Sequence, residues 1–282
     1  VTGGTGSAVY CVTTSAGSAI SFNDVAMTSA ALNALRVDGF TDSALTGTDV
    51  TLSGSAKALY MTGSAGSVVK FTRAAMTAGT SYGAFLETFS DTSVSFTTVQ
   101  MSGARGANFE VFGLASTVSM ADCTTTGSTE VGARFASFSG GSALSIADHT
   151  SSSAASYGLQ ISLFKGGCSA TIEDATVTGD SIGLYALNIE TASVITVARS
   201  EFSGNTHRGV YVNGVTGGST VTFDMVVSVS ATSQGIYLND FTMSSAALDD
   251  VITSSDTGTS FTAGLLSATT LAMSGCDTYG HG

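Results

Sequence analysis

The sequence contains neither proline nor tryptophan in 282 residues, and only 11% of its residues are charged, against about 25% in an average protein. Proline cannot donate a hydrogen bond to a β-ladder, so its absence is typical of a chain made almost wholly of paired strands. Because charged residues are few, we expect a surface coated mainly with Ser, Thr, Ala and Gly.

Positive charge is the scarcer kind, because 9 basic residues face 21 acidic ones and the net charge is −12. The three lysines, Lys57, Lys70 and Lys165, form no patch. Nucleic acids and anionic membrane surfaces attract clustered basic residues, so we expect neither as a partner. No apolar run reaches about 18 residues, so no membrane span is predicted. The opening Val1-Thr2-Gly3-Gly4, without a visible signal peptide, is typical of a processed or excised chain.

The four cysteines, Cys11, Cys123, Cys168 and Cys276, do not form a disulfide framework. Cys123 and Cys276 share a column of the repeat described below but lie six turns apart. At about 4.8 Å per strand they are separated by about 30 Å, whereas a disulfide needs Cα atoms within about 7 Å. We expect free, mostly buried thiols and no metal site, since no C-x-x-C motif or histidine cluster accompanies them.

An apolar–small polar–apolar triplet recurs eleven times, first at irregular steps of 30 and 19 residues and then every 24 to 26. The copies are Ile20-Ser21-Phe22, Val50-Thr51-Leu52, Val69-Lys70-Phe71, Val94-Ser95-Phe96, Val118-Ser119-Met120, Leu144-Ser145-Ile146, Ala170-Thr171-Ile172, Ile195-Thr196-Val197, Val221-Thr222-Phe223, Ala246-Ala247-Leu248 and Leu271-Ala272-Met273. A fixed period of this length with β alternation indicates a coil of strands in which each turn packs on its neighbours.

A second series of triplets runs beside the first, with a middle residue that we expect to face outward because Arg36, Glu110 and Gln160 would not be buried unpaired. Its fifth and sixth members, Phe109-Glu110-Val111 and Phe135-Ala136-Ser137, need a one-residue slip to keep Asn108 and Arg134 out of the core. A third, shorter series follows the first after a corner and includes Met76-Thr77, Phe202-Ser203, Val227-Ser228 and Ile252-Thr253. The corner column holds Asp24, Asp122, Asp148, Asp174 and Asp250, which suit a tight bend.

These patterns predict an all-β fold, a right-handed parallel β-helix of about 11 turns with three short strands per turn. We expect one domain over residues 1–282, with an irregular turn around 32–48. Segments such as Gly183-Leu184-Tyr185-Ala186 and Gly209-Val210-Tyr211-Val212 resemble repeats of the pectate-lyase-like β-helix superfamily. The resemblance covers nearly the whole chain and implies a carbohydrate or cell-surface setting, in a non-enzymatic, adhesin- or filament-type member.

Polysaccharide-degrading enzymes are an alternative within that superfamily. Asn239-Asp240, Asp249-Asp250 and Gly280-His281-Gly282 partly resemble the motifs of polygalacturonase-like glycosidases, which use paired carboxylates. The threonine of the first motif and the basic motif that follows the last are missing, and the nearly uniform turns leave little loop to wall a cleft. For a lyase, Asp224, Asp249 and Asp250 have no basic partner. We therefore predict no catalytic residue.

Two outward columns are candidate binding surfaces. The aromatic column offers either a docking strip for a sugar chain or another protein, or rings that stabilise each other by stacking. Its members are Tyr10, Tyr60, Phe85, Tyr185, Tyr211 and Tyr237. A hydroxyl column including Thr171, Thr196 and Thr222 leaves ice binding open, although its neighbouring column is mixed and charged. No cofactor is predicted. Ca²⁺ at the aspartate corner stays open, because a divalent ion would relieve the repulsion between stacked carboxylates, although no specific motif supports it.

Open ends of a coil are unpaired strand edges, and neither Val1–Ala8 nor Cys276–Gly282 looks like a cap. Two explanations follow: the chain is a fragment of a longer coil, or its ends stack on neighbouring copies to make a filament. The leading hypothesis is therefore an extracellular structural or adhesive protein, located at a cell surface. It would assemble end-to-end or side-by-side into a fibre, with other copies of itself or a cell-surface polysaccharide as partner. A glycan- or ice-binding β-helix is the remaining alternative.

Overall fold

The computed structural model describes residues 1–14 and 17–280, and within that part of the chain every regular element is a β-strand. Every ladder between these strands is parallel, and the described strands form one sheet of twelve and one of nineteen. The twelve-stranded sheet consists of Val9–Thr14, Leu35–Phe40, Leu59–Ala65, Tyr82–Ser90, Arg105–Gly113, Ala133–Phe138, Tyr157–Lys165, Ile182–Glu190, Arg208–Thr216, Ile236–Thr242, Phe261–Ala263 and Leu266–Ser267.

The nineteen-stranded sheet carries the rest of each turn. Its strands are Thr2–Gly3, Ala19–Ser29, Ala44–Gly54, Val68–Ala78, Ser93–Gly103, Thr117–Ala121, Thr124–Gly127, Ala143–Ala147, Thr150–Ser153, Ser169–Glu173, Thr176–Gly179, Val194–Ala198, Glu201–Gly204, Thr220–Asp224, Val227–Ser230, Ser245–Asp249, Ile252–Ser255, Thr270–Ser274 and Asp277–Gly280. Between the two ends, each strand pairs with the strand one repeat before and one repeat after it, so the chain winds into a β-solenoid of about 11 turns. The predicted all-β, parallel coil is confirmed.

The predicted start of the repeat was wrong. Ile20 pairs with Leu45, and Leu45 with Val69, so the second copy of the triplet is Leu45-Thr46-Gly47 and the spacing is regular there. The segment Val50–Leu52 lies on the neighbouring column, beside Val25–Met27. The motif missed Gly47 because glycine is not apolar, yet a Cβ at Gly47 would lie 2.5 Å from the Phe71 ring. The glycine makes room for that ring.

The one-residue slip was also wrong. Asn108 pairs with Phe85 and with Arg134, so both polar residues already belong to the outward column without any shift. Val111 and Ser137, which the slip would turn inward, sit at positive φ of 57° and 60°.

The third series needs a smaller correction near its end. Ser228 and Thr253, rather than Val227 and Ile252, continue the inward column that contains Phe202. Ile252 is correspondingly exposed.

The interior is filled by like side chains stacked one turn apart. Phe89, Phe112, Phe138 and Phe164 form a continuous stack with ring centroids 4.9, 5.0 and 4.7 Å apart and nearly parallel planes. All four rings are buried. Because parallel register places equivalent residues of successive turns above one another, a single repeat position generates the whole stack.

Left-handed backbone conformations form the corners. The predicted aspartate column is confirmed, and Asp24, Asp122, Asp148, Asp174 and Asp250 all adopt φ between 47° and 51°. Aspartate tolerates this conformation better than most residues.

A serine ladder supports another corner, where the strands of the twelve-stranded sheet give way to those of the other. The N–H of Cys168 donates to the hydroxyl of Ser193, and the N–H of Ser193 donates to that of Ser219, each at 3.2 Å. Each turn thus caps the backbone of the turn before it.

Candidate functional site

The six predicted aromatic residues occupy one outward column of the twelve-stranded sheet. Register connects Tyr10 through Arg36 to Tyr60 and Phe85, and connects Tyr185 to Tyr211 and Tyr237. Asn108, Arg134 and Gln160 separate the two groups. The column is therefore two aromatic blocks with a polar interval between them.

Cations cover the rings of the first block. The Arg36 guanidinium carbon lies 4.8 Å from the Tyr10 ring centroid and 5.4 Å from that of Tyr60. Lys57 Nζ lies 4.6 Å from the Tyr60 centroid and 5.2 Å from that of Phe85. Burial lowers the pKa of Lys57. The Tyr10 hydroxyl donates to Asp38, which also pairs with Arg36. Charged contacts therefore stabilise this block as well as ring stacking.

Tyrosines stack on each other in the second block. Tyr211 lies 5.3 Å from Tyr185 and 5.3 Å from Tyr237, and Tyr157 lies 4.6 Å from Tyr185, all between ring centroids. Arg208 sits 4.6 Å from the Tyr211 centroid and 4.7 Å from that of Tyr237. A sugar stacks on an open ring face, but these faces are already covered by neighbouring rings. The geometry therefore favours mutual stacking and leaves ring edges and hydroxyl groups for contact with a partner.

Asn108 marks the polar interval. It is 0% exposed although it faces outward, and neither its amide nitrogen nor its amide oxygen has a hydrogen-bond partner. Arg134 covers it from the next turn, held by an ion pair with Glu110 at 3.0 Å, and the Arg134 Nε is likewise unpaired. Arg105 and Glu130 form a second ion pair nearby. Sequence reasoning missed this burial because a polar residue at an outward position is expected to be solvated.

Replacing Asn108 with leucine is expected to raise the free energy of unfolding by about 1–2 kcal/mol, because a buried amide without partners is costly while an apolar side chain of similar size is not. Urea unfolding of the purified variant would measure the change. Gln160→Leu is the matched control in the same column, since Gln160 is half-buried and its amide donates to Ser162. A less stable Asn108→Leu variant would show that the amide has a favourable partner in solution.

Arginines pair with carboxylates at the aspartate corner. Arg73 makes two hydrogen bonds of 2.7 Å to Asp49, and Arg199 makes two of 2.9 Å to Asp174. These bonds lower the pKa of both carboxyl groups. Arg199 also lines a shallow surface groove of about 420 Å³ together with Asp174, Glu201 and Met225. Within residues 1–14 and 17–280, no group of three or more His, Cys, Asp or Glu side chains is arranged to hold a metal ion.

The remaining predicted residues fall in separate places. Asp249 ends the strand Ser245–Asp249 beside Asp224, whereas Asp250 is the corner residue that follows it. His281 and Gly282 lie outside the described residues. All four cysteines are free, and Cys123 and Cys168 are buried, as predicted.

The sequence pattern places Ser21 and Thr51, the middle residues of the first two triplets, in the hydroxyl column. In the structure the column runs through Ser21 and Thr46, and Thr51 pairs with Ala26 in the next column. Neighbouring hydroxyls bond to each other there, with Thr46 donating to Ser21 at 3.1 Å. Ice binding by this face stays an untested alternative.

The end turns are built differently from the middle ones. Met273 and Tyr279 in the last turn are 44% and 59% exposed, and Leu265 and Leu266 are also exposed. In the first turn Ile20 and Phe22 are half-buried, while their column neighbours Leu45 and Phe71 are fully buried. Within the described chain no strand pairs with the far edge of Thr270–Ser274 or of Asp277–Gly280.

No protein-family model, no curated protein and no solved structure matches this chain in the comparisons with known proteins. In the described part of the chain, no helix has the length and apolar character needed to cross a membrane.

Proposed function

We propose that this protein is an extracellular structural or adhesive β-helix that associates with other copies of itself, end to end, into a surface fibre. In this proposal the coil is right-handed, with three short strands per turn, and belongs to the adhesin- or filament-type members of the pectate-lyase-like superfamily. The observation that supports the proposal is the turn formed by Phe261–Gly280, whose apolar side chains are exposed and whose outer strand edges are paired with no other strand of the described residues.

Backbone groups at the last turn are available for pairing. The N–H of Thr270 donates to Ser244 in the turn before. Successive residues of a strand direct their N–H groups to opposite edges, so those of Leu271 and Met273 point to the open side. An exposed strand edge of this kind is a template for another strand.

The first turn offers a matching surface. Ile20 and Phe22 occupy the same columns as Leu271 and Met273, so a first turn laid on a last turn would continue each apolar column. The strand Thr2–Gly3 pairs with Thr28–Ser29. In the filament this position would be taken by Asp277–Gly280 of another copy, so association would displace Thr2–Gly3. A head-to-tail contact of this type does not close on itself and therefore gives filaments.

The test is Met273→Lys. Met273 lies in the inward column of the last turn and is partly exposed, so lysine is tolerated there in a free molecule, but it would bury an unpaired charge under a second copy. We expect the unaltered protein to form filaments as its concentration rises and the variant to stay monomeric, as judged by light scattering and electron microscopy.

Met243→Lys is the matched control, since Met243 is 62% exposed on the side of the coil and should assemble like the unaltered protein. A strictly monomeric unaltered protein at high concentration would overturn the proposal. Equal loss of assembly in both variants would point to side-by-side contacts instead.

A further inference from the structure

His149 is the one histidine in the interior of the coil, within the described residues, and it is 1% exposed. It belongs to the column that follows the aspartate corner, where the neighbouring turns place Cys123 and Ala175. Elsewhere the same column holds buried valines at positions 99, 226 and 251. An imidazole therefore occupies a position that the fold otherwise fills with small or apolar side chains.

The surroundings of the ring suit its neutral form. Its Nε2 lies 3.1 Å from the Thr125 hydroxyl, which in turn lies 2.8 Å from the Ser151 hydroxyl. Ser151 donates to the carbonyl oxygen of Gly158, which closes the network. The Nδ1 of His149 makes no hydrogen bond of good geometry. Burial lowers the pKa of the ring by more than the backbone of Cys123 raises it. No carboxylate is present to compensate a charge on the ring, because the buried side chains of the described chain include no Asp, Glu, Lys or Arg.

Few titratable groups face His149. Cys123 occupies the same column one turn before His149, and burial raises the pKa of its thiol to about 11, so it stays neutral. The nearest carboxylates, Asp122, Asp148 and Asp174, are exposed on the outside of the corner. Protonating His149 would place an uncompensated charge in the core, which the coil can relieve by opening locally.

We propose that His149 is an acid-sensitive switch, and that its protonation opens the coil between the turns that contain Cys123 and Ala175. Turns of a solenoid contact only their neighbours, so the break remains local and exposes two new strand edges in the middle of the molecule. This inference is independent of the proposed fibre function.

The direction of the pH dependence follows from burial. Burial lowers the pKa of His149 to about 4, whereas in an opened segment it returns to about 6.5. The opened state therefore binds more protons between these values. The stability that neutral His149 gives the closed state is fully present above pH ~6.5 and is lost as the pH falls toward ~4. Carboxylates paired with arginine, such as Asp49 and Asp174, have lowered pKa values and remain ionised through most of this window.

Amide hydrogen exchange of the full chain, corrected for intrinsic rates, tests the switch. Between pH 7.5 and pH 5, we expect protection in peptides covering residues 123–151 to fall by about 30-fold, while peptides several turns away change little. His149→Val, which inserts the residue type of positions 99 and 226, and His149→Gln should both abolish most of that fall. His207→Gln, a change at an exposed histidine, should leave it intact.

Two results would overturn the inference. One is equal protection of residues 123–151 at both pH values in the unaltered protein. The other is an undiminished acid response in both His149 variants. Two variants are used because valine tests the column's own residue type and glutamine keeps a neutral polar group.

Discussion

Replacing Phe138 with alanine is expected to lower the free energy of unfolding by about 3–5 kcal/mol, the usual range for a buried phenylalanine. Phe138 is fully buried, and its ring is stacked on both faces, 5.0 Å from Phe112 and 4.7 Å from Phe164. The change removes both stacking contacts, each worth about 0.5–1.5 kcal/mol beyond area burial. It also leaves a void that parallel strands of fixed spacing cannot close.

Equilibrium unfolding in urea, followed by circular dichroism, would measure the effect. Leu114→Ala is the control, because Leu114 is 69% exposed nearby and should change stability by less than about 0.5 kcal/mol. A solenoid is stabilised by interactions between adjacent turns, so the void should also reduce the cooperativity of the transition by uncoupling the two halves. A Phe138→Ala variant within 1 kcal/mol of the unaltered protein would contradict the stacked core.

The architecture could be predicted from the sequence because residues at the same repeat position form one column in the structure. Apolar residues recurring at a nearly constant period predicted parallel stacking, and the aspartate column at the corner came out correctly from Asp24 to Asp250. Spacing alone determines these features, since parallel register propagates every position through all turns.

Errors arose where one turn broke the composition of its column. Gly47 interrupts an apolar column because the Phe71 ring fills the space beside it, so a pattern of apolar residues could not find it. Asn108 was assumed to need a shift in register, whereas the structure buries it at the outward position. The residue type and burial at such positions depend on local packing, and the repeat period carries no information about local packing.

The sequence predicted which aromatic residues share a column but not how their rings are arranged. Sequence placed Tyr185, Tyr211 and Tyr237 together, and the structure does so, yet only coordinates show that the ring faces are covered. His149 could have been found from its position directly after the corner residue Asp148, where other turns have valine or alanine. His149 stands out only when the residues after the corner are aligned across all turns. The misplaced early turns prevented that alignment.

The second large effect is expected for Gly204→Ala, with a loss of about 3 kcal/mol or more in the free energy of unfolding. A Cβ at Gly204 would lie 1.8 Å from the carbonyl oxygen of Arg208 and 2.8 Å from that of Ser181. Both are backbone atoms, so no rotamer change relieves the clash. Arg208 begins the strand Arg208–Thr216, which is paired on both sides, and moving it disturbs two neighbouring turns.

Gly6→Ala is the matched control for this experiment, because a Cβ at Gly6 meets nothing within 4 Å. Thermal and urea unfolding of both variants would be compared with the unaltered protein. Ser230 occupies the next position in the column of Gly204 and carries a side chain, so the column itself does not exclude one. At Gly204 a side chain is excluded by the backbone between Gly204 and Arg208. A Gly204→Ala variant as stable as the unaltered protein would contradict this, because it would show that the backbone can move to the path that it follows after Ser230.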